Sequence, residues 1–173
     1  MKKLTHLTAK GAPRMVSVAA KPETARRAVA RGRIRASSAA IAAVRRGRVA
    51  KGDPLAVATI AGIQAAKLTP MLIPLCHPLP LAGVDVDVVL KRGAIEVTAT
   101  VETVARTGAE MEALTAASVA LLAIYDMLKA IDRGMVIESV RLLEKEGGRS
   151  GRWVAAAASA TKATRAKTRG ARR

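Results

Sequence analysis

Two alternating runs, VDVDVVL (84–90) and AIEVTATVETV (94–104), stand on either side of the three residues KRG. In an extended chain successive side chains point to opposite faces, so each run offers one apolar and one polar face. A break this short permits only a tight reversal, which makes the two runs an antiparallel hairpin. Asp85 and Asp87 then face away from the core, and the apolar face needs a cover. GAEMEALTAASVALLAIYDMLKAID (108–132), the most strongly helical stretch of the chain, supplies it and closes at Gly134.

The remaining elements follow from the same reasoning. KGDPLAVATIAGIQAAK (51–67) predicts a second helix, with Asp53 as N-cap and Pro54 preorganised for the first turn. Leu55, Ala58, Ala61, Gly62 and Ala65 recur there at helical spacing, and Gly62 implies close packing against a neighbour. SAAIAAVRRG (38–47) predicts a short helix, with Ser37 or Ser38 as N-cap and Gly47 after its last turn. MVSV (15–18) and the alternating part of ARRAVARGRIRAS (25–37) read as exposed strands. MVIESVRLLEKEGG (135–148) reads as a final strand running into a glycine-rich loop. From residue 53 the order is helix, strand, strand, helix, strand. With a preceding strand this is the split βαβ, or ferredoxin-like, pattern. The expected class is α+β, an antiparallel sheet with helices packed on one face.

Half of the 173 residues are apolar, yet aromatics are limited to Trp153 and Tyr125, with no Phe. The core must be built from Ala, Val, Leu, Ile and Met. Such small side chains bury little area each, so close packing or oligomerisation has to help. The net charge of +17 is uneven: +13 over residues 1–51, −4 over 52–148 and +8 over 149–173. The expectation is one domain over residues 1–153, slightly acidic in its middle. Residues 154–173 form a basic Ala/Lys/Arg-rich tail that cannot bury a core and is expected to be disordered. A single cysteine excludes a disulfide within the chain, and no metal-ligand spacing occurs, so no metal is expected. No run approaches the roughly 18 apolar residues of a membrane span. MKKLTHLTAKG lacks the apolar stretch of a signal peptide. The expected location is the cytoplasm.

Some polar residues fall against the pattern. LIPLCHPLPL (72–81) sets His77 beside Cys76 and between Pro74, Pro78 and Pro80. Three prolines argue against a buried strand, and so much apolar surface argues against a loose loop. A stiff, packed segment holding one imidazole is the expectation. A lone histidine is more often a hydrogen-bonded core residue than a catalyst, and a lone cysteine more often a small buried hydrophobe. On the long helix, Glu112, Val119 and Asp126 lie within about 40° of one another on a helical wheel, and Lys129 follows Asp126 at pairing distance. A solvated ion pair is the plain alternative, but the surrounding stretch is too apolar to be mostly solvated. Lys51 precedes a helix N-terminus, a setting that suits phosphate. Lys145 and Arg149 flank EGGRSG, whose glycines allow backbone N–H groups to approach an anion. Taken singly, each of these signals is weak.

LTH (4–6), KGD (51–53), IAGIQAAK (60–67), LIPLCHPL (72–79), the 108–132 helix and VRLLEKEGGRSG (140–151) together resemble the cyclic pyranopterin monophosphate synthase family, molybdenum cofactor biosynthesis protein C. The resemblance covers about residues 4–151, with the motifs in the family's order. It implies conversion of 3′,8-cyclo-7,8-dihydro-GTP, a cyclic dihydro-GTP triphosphate, into cyclic pyranopterin monophosphate with release of diphosphate. It implies no cofactor, and a homohexamer, a trimer of dimers, with sites at subunit interfaces. By the same resemblance Asp126, Lys129 and Lys51 match catalytic positions, with His77 beside them. Leu75, Cys76 and His77 match one substrate-contact segment, and Met111 and Glu112 another. Glu110, Lys67 and Lys145 match further active-site positions. Ser17 and Thr59 depart from the family, which usually has Asp and Arg there.

Spacing adds one constraint of its own. Glu112 and Asp126 are 14 residues apart, roughly 21 Å along a helix, and cannot grip one small reacting centre from one copy. Two such helices antiparallel across a dyad could bring Glu112 of one copy near Asp126 of the other. The competing class is a basic nucleic-acid-binding protein, favoured by the basic ends. The acidic middle and the scarcity of aromatics for base stacking weigh against it.

Overall fold

The computed structural model describes residues 7–156 except Ala9. The hairpin forms as read. Strand β2 (Leu81–Lys91) pairs antiparallel with β3 (Ala94–Ala105), from Leu81 opposite Thr103 to Lys91 opposite Ala94. The reversal needs only Arg92 and Gly93, and Gly93 takes a φ of 71° that a side chain would resist. Asp85 and Asp87 are exposed while Val86 between them is buried.

The largest departure concerns β1 (Thr24–Arg35), which is not an exposed strand but the centre of the sheet. It pairs antiparallel with β3 on one side and with β4 (Val136–Glu146) on the other. A two-residue strand, β5 (Trp153–Val154), extends the sheet, giving the order β2-β3-β1-β4-β5. Ala28, Ala30 and Ile34 of β1 are buried on the same face as Ile95, Val97, Ala99 and Val101 of β3. The alternate residues, Arg27, Arg33 and Arg35, reach Glu96, Glu102, Glu138 and Glu144 on the other face. The basicity of the first 51 residues is therefore not confined to an end. Part of it is a sheet face whose arginines are neutralised by the acids of the middle of the chain. MVSV (15–18) is not a strand; the chain there is irregular.

Three helices complete the α+β fold: α1 (Ser38–Arg45), α2 (Pro54–Leu72) and α3 (Glu110–Leu128). Ser37 caps α1, its hydroxyl accepting from the Ala40 N–H. Asp53 caps α2, accepting from the N–H groups of Leu55 and Ala56, and Pro54 opens the first turn as expected. The helix outruns its expected end and carries Pro70 inside it, which forfeits one helical hydrogen bond. Nearby the Thr69 hydroxyl donates to the Ala65 carbonyl.

α3 is the core helix. Ala113, Ala116, Ala117, Ala120, Leu121, Ile124 and Leu128 are buried against the sheet and α2. Gly62 is where α2 meets α3: a methyl group there would stand 3.1 Å from the Ala116 carbonyl and from Val86. The close packing read from that glycine is present. Contrary to the reading of apolar runs, α2 and α3 are each 19 residues long and apolar enough to span a membrane by length and composition. α3 is instead packed in the core. LTH (4–6) and most of the basic tail lie outside the described residues.

Candidate active site

α2 and α3 run antiparallel. The start of α2 therefore lies beside the end of α3, and the segment after α2 beside the start of α3. The chosen polar residues divide between these two ends.

At the first end, Asp126 sits in the last turn of α3 and Lys129 directly after it. Lys51, just before α2, comes across from the other chain segment. Its Nζ lies 2.6 Å from Asp126 Oδ2 and 3.0 Å from the Asp126 carbonyl. Lys129 Nζ lies 2.7 Å from Asp126 Oδ1. One carboxylate thus bridges two ammonium groups, and all three side chains are about half exposed. The hydrogen bonds from Lys129 and then Lys51 hold the Asp126 pKa down at about 2. The sequence pairing of Asp126 with Lys129 is present. The arrival of Lys51, 75 residues away, follows only from the antiparallel helix pair.

At the other end, Glu112 lies in the first turn of α3 and is 1 % exposed. Cys76 Sγ donates to its Oε1 at 3.5 Å, and its Oε2 is buried with no partner among the described residues. An ionised carboxylate so placed is costly, and burial raises the Glu112 pKa, with the charge of Glu110 adding to the rise. Burial, then the Glu112 carboxylate, pushes the Cys76 thiol up to about 11. At neutral pH Cys76 is a thiol donor and not a nucleophile.

His77 is half-buried, and its Nε2 lies 2.8 Å from the Val16 carbonyl. A carbonyl only accepts, so Nε2 carries the proton and Nδ1 is left for other chemistry. The segment around it is less packed than expected. Leu72, Pro74, Leu75, Pro78 and Pro80 are exposed, because a single copy offers these apolar groups nothing to lie against. What holds the imidazole is the hydrogen bond to the irregular 15–18 stretch and the flanking prolines.

Met111 is partly exposed beside Glu112. Lys67 is exposed on the half of α2 that runs alongside the start of α3. Glu110 and Lys145 line a cavity of about 900 Å³ at this same end of α3. Lys145 donates to the Ser150 hydroxyl and, at 2.9 Å, to the Gly151 carbonyl. Thr59, at the departing position, donates its hydroxyl to the Val86 carbonyl at 3.2 Å. Ser17 accepts from the Ala19 N–H at 3.4 Å.

One copy therefore brings Asp126, Lys51 and Lys129 together, and separately gathers Cys76, His77, Glu110, Glu112 and Lys145. It does not bring the two sets together. The sequence reading missed Thr24, Arg26 and Arg106 in the wall of the large cavity. They come from β1 and from the turn after β3, and nothing in their local spacing links them.

A family model described as the MoaC family matches residues 15–148. A cyclic pyranopterin monophosphate synthase of Thermomicrobium roseum is 61 % identical over 155 residues, covering 88 % of this chain and 93 % of the relative. One of Novosphingobium aromaticivorans is 58 % identical over 156 residues, covering 90 % and 99 %. A cyclic pyranopterin monophosphate synthase 2 of Mycobacterium tuberculosis is 53 % identical over 150 residues, covering 87 % and 90 %.

Proposed function

Because the chain belongs to the MoaC family, we propose that the Lys51–Asp126–Lys129 cluster is the chemical centre of a cyclic pyranopterin monophosphate synthase. The activity is that of a lyase in molybdenum cofactor biosynthesis: it rebuilds a cyclic dihydro-GTP triphosphate into cyclic pyranopterin monophosphate and releases diphosphate.

The observation that carries the site assignment is the carboxylate shared between two ammonium groups at 2.6 and 2.7 Å. Ring opening and closure need timed proton transfers, and attack on a phosphate needs positive charge near its oxygens. With its pKa near 2, Asp126 is ionised and a poor base at neutral pH. Its role is to hold the two ammonium groups side by side. Lys51 and Lys129 then act on protons or on phosphate charge, and His77 Nδ1, not engaged by the Val16 carbonyl, is left to accept a hydrogen bond from the substrate. Glu112, Cys76, Leu75 and Met111 take the heterocycle. A buried carboxyl with an open oxygen suits the N–H edge of a guanine-derived ring, and Lys67, Glu110 and Lys145 flank it.

The reading includes a shared site. Roughly 21 Å of helix separates Glu112 from Asp126, so a complete site needs the second set from another copy. The apolar residues left outside support this. Val57, Ile60, Leu68 and Met71 form an exposed stripe on α2, with Met71 82 % and Ile60 65 % exposed, and Leu122 of α3 is exposed too. An isologous dimer that covers this stripe fits both features, and three dimers make the homohexamer. A small-molecule substrate, a cytoplasmic location and no resident cofactor or metal complete the reading.

The test is incubation of the purified protein with the cyclic dihydro-GTP intermediate, assayed for pterin product and diphosphate. Formation of both in equal amounts is expected. A protein that is folded and oligomeric yet leaves the intermediate unchanged would overturn the reading.

A further inference from the structure

Two lysines reach Asp126 from segments that are not continuous with each other. Lys129 is placed by α3, whose last turn it closes: its N–H donates to the Tyr125 carbonyl at 2.9 Å. Lys51 stands in the link between α1 and α2. It lies in a turn closed by the Gly52 N–H, which donates to the Val49 carbonyl at 3.0 Å. Gly52 takes a φ of 97° and Val49 is buried, so the turn itself is well defined. Among the described residues, the only hydrogen bonds from the 46–52 link to α3 are those of the Lys51 ammonium itself. The backbone that carries Lys51 is therefore located by what lies before and after it.

What lies before it is α1, eight residues long and so about 12 Å from end to end. Ala40 and Ile41 are buried and seat it on the core. Its C-terminal end runs straight into the link, where the N–H groups of Arg46 and Arg48 donate to the Ala42 and Ala43 carbonyls. At its N-terminal end the Ser37 N–H donates to Asp132 Oδ2 at 2.7 Å. Asp132 is three residues past Lys129, in the turn from α3 to β4. Its own N–H donates to the Leu128 carbonyl at 3.0 Å, and its Oδ1 accepts from the Gly134 N–H at 2.9 Å. Tyr125, next to Asp126, closes the same turn by donating its hydroxyl to the Arg133 carbonyl at 3.1 Å. One carboxylate thus joins the turn after Lys129 to the helix that leads to Lys51. Its hydrogen bonds, that from Ser37 first, hold the Asp132 carboxyl below its ordinary range, so the acceptor is charged at neutral pH. A charged acceptor makes a stronger tie than a neutral one.

We propose that Asp132 is a positioning residue for the Lys51–Asp126–Lys129 cluster: by clamping the N-terminal end of α1 to the turn that follows Lys129, it fixes where α1 delivers Lys51. The proposal rests on the synthase reading for its effect on turnover, while its effect on Asp126 is measurable without substrate. Two contacts of 2.6 and 2.7 Å on one carboxylate leave little room for displacement. With the clamp released, α1 can tilt about the buried Ala40 and Ile41, and its other end carries the Lys51 link with it. Lys129 stands at the end of α3 and keeps its place. The loss therefore falls on the Lys51 half of the bridge.

The experiment compares wild type with Asp132→Asn and Asp132→Ala, and with Val97→Ala, which loosens the buried middle of the sheet and leaves the clamp in place. The first readout is a carbon-13 NMR titration of the Asp126 carboxyl, its signal identified by its absence from Asp126→Asn. In Asp132→Ala its pKa is expected to move from about 2 toward the ordinary 3.8. Asp132→Asn keeps one oxygen acceptor and should move it less, and Val97→Ala should not move it. The second readout is steady-state turnover. Asp132→Ala is expected to lower kcat about 10- to 100-fold with KM nearly unchanged, and Asp132→Asn to recover part of that loss. Where Asp132→Ala fails to fold, Asp132→Asn, which keeps the size of the side chain, carries the test. An Asp126 titration unmoved in the Asp132 variants would overturn the proposal, even if kcat fell, because the effect would then bypass the bridge. Equal changes in Val97→Ala would mean general loosening and would overturn it too. A moved titration in a protein that does not convert the intermediate would keep the clamp and remove the synthase reading.

Discussion

The two ends of α3 carry acids of opposite character. Asp126 at the C-terminal end is exposed, paired with two lysines and held at about 2. Glu112 at the N-terminal end is buried, accepts a hydrogen bond from the Cys76 thiol, and is raised above its ordinary 4.5. Both stand on one apolar helix, so neither helix propensity nor local sequence sets the difference. What sets it is the neighbour each end meets: a loop lysine before α2 in one case, the chain leaving α2 in the other. In the proposed reading the charged end serves proton and phosphate chemistry and the buried end recognition, each as half of a site.

The strongest test of that comparison is complementation. Asp126→Asn and Glu112→Gln protomers are each expected to be inactive or nearly so, with Asp126→Asn losing about a thousandfold in turnover while remaining folded and oligomeric. Unfolded and remixed in equal amounts, they should regain about a quarter of wild-type turnover, because half the dimers are mixed and each mixed dimer rebuilds one intact site. No recovery in oligomers proven to be mixed would mean that the two ends serve separate sites.

Lys51→Arg and Lys129→Arg probe the charged end alone. Both keep the charge but replace a compact ammonium with a fork that hardly titrates. A loss of about a hundredfold in single-turnover rate is expected, with substrate binding changed far less. Near-normal rates in both would reduce the cluster to simple charge and move the proton work to His77.

The buried end can be probed by pH. Asp126 binds its proton less tightly in the folded state, so the stability it contributes is present above 3.8 and is lost as pH falls toward 2. Glu112 binds its proton more tightly when folded. Stability therefore falls as pH rises from 4.5 through the raised value, and a penalty persists above it. Glu112→Gln should abolish that alkaline loss in denaturant melts, and its loss of turnover should be accompanied by substrate binding weakened about tenfold through removal of a matched carboxyl. An unchanged stability–pH slope in this variant would show that Glu112 is not the group concerned.

The smallest effect expected concerns the spacing of the ends. Gly62→Ala places a methyl group 3.1 Å from the Ala116 carbonyl and Val86. Overpacking of this kind costs about 1–3 kcal/mol, partly offset by the roughly 1 kcal/mol that alanine gains in helix propensity. A loss of about 1 kcal/mol in chemical denaturation is expected, with a modest fall in activity. Greater stability would mean that the helices part without cost.

Much of this was legible along the chain. Alternation located the β2–β3 hairpin, Asp53 and Pro54 located the start of α2, and the polar residues of α3 stood out because the rest of that helix is apolar. These are local matters, decided by side-chain period, capping chemistry and backbone freedom over a few residues. The family motifs, read as a resemblance, marked the residues to watch. Tertiary structure alone decided the rest. It made β1 the centre of the sheet, since the acids that neutralise its arginines come from β3 and β4. It brought Lys51 to Asp126 and made Glu112 a buried acid, and it raised Thr24, Arg26, Arg106 and Arg149 into one cavity wall. Local sequence carries no record of such meetings. They are contacts between segments tens of residues apart, selected when the helix pair and the central strand close on one core.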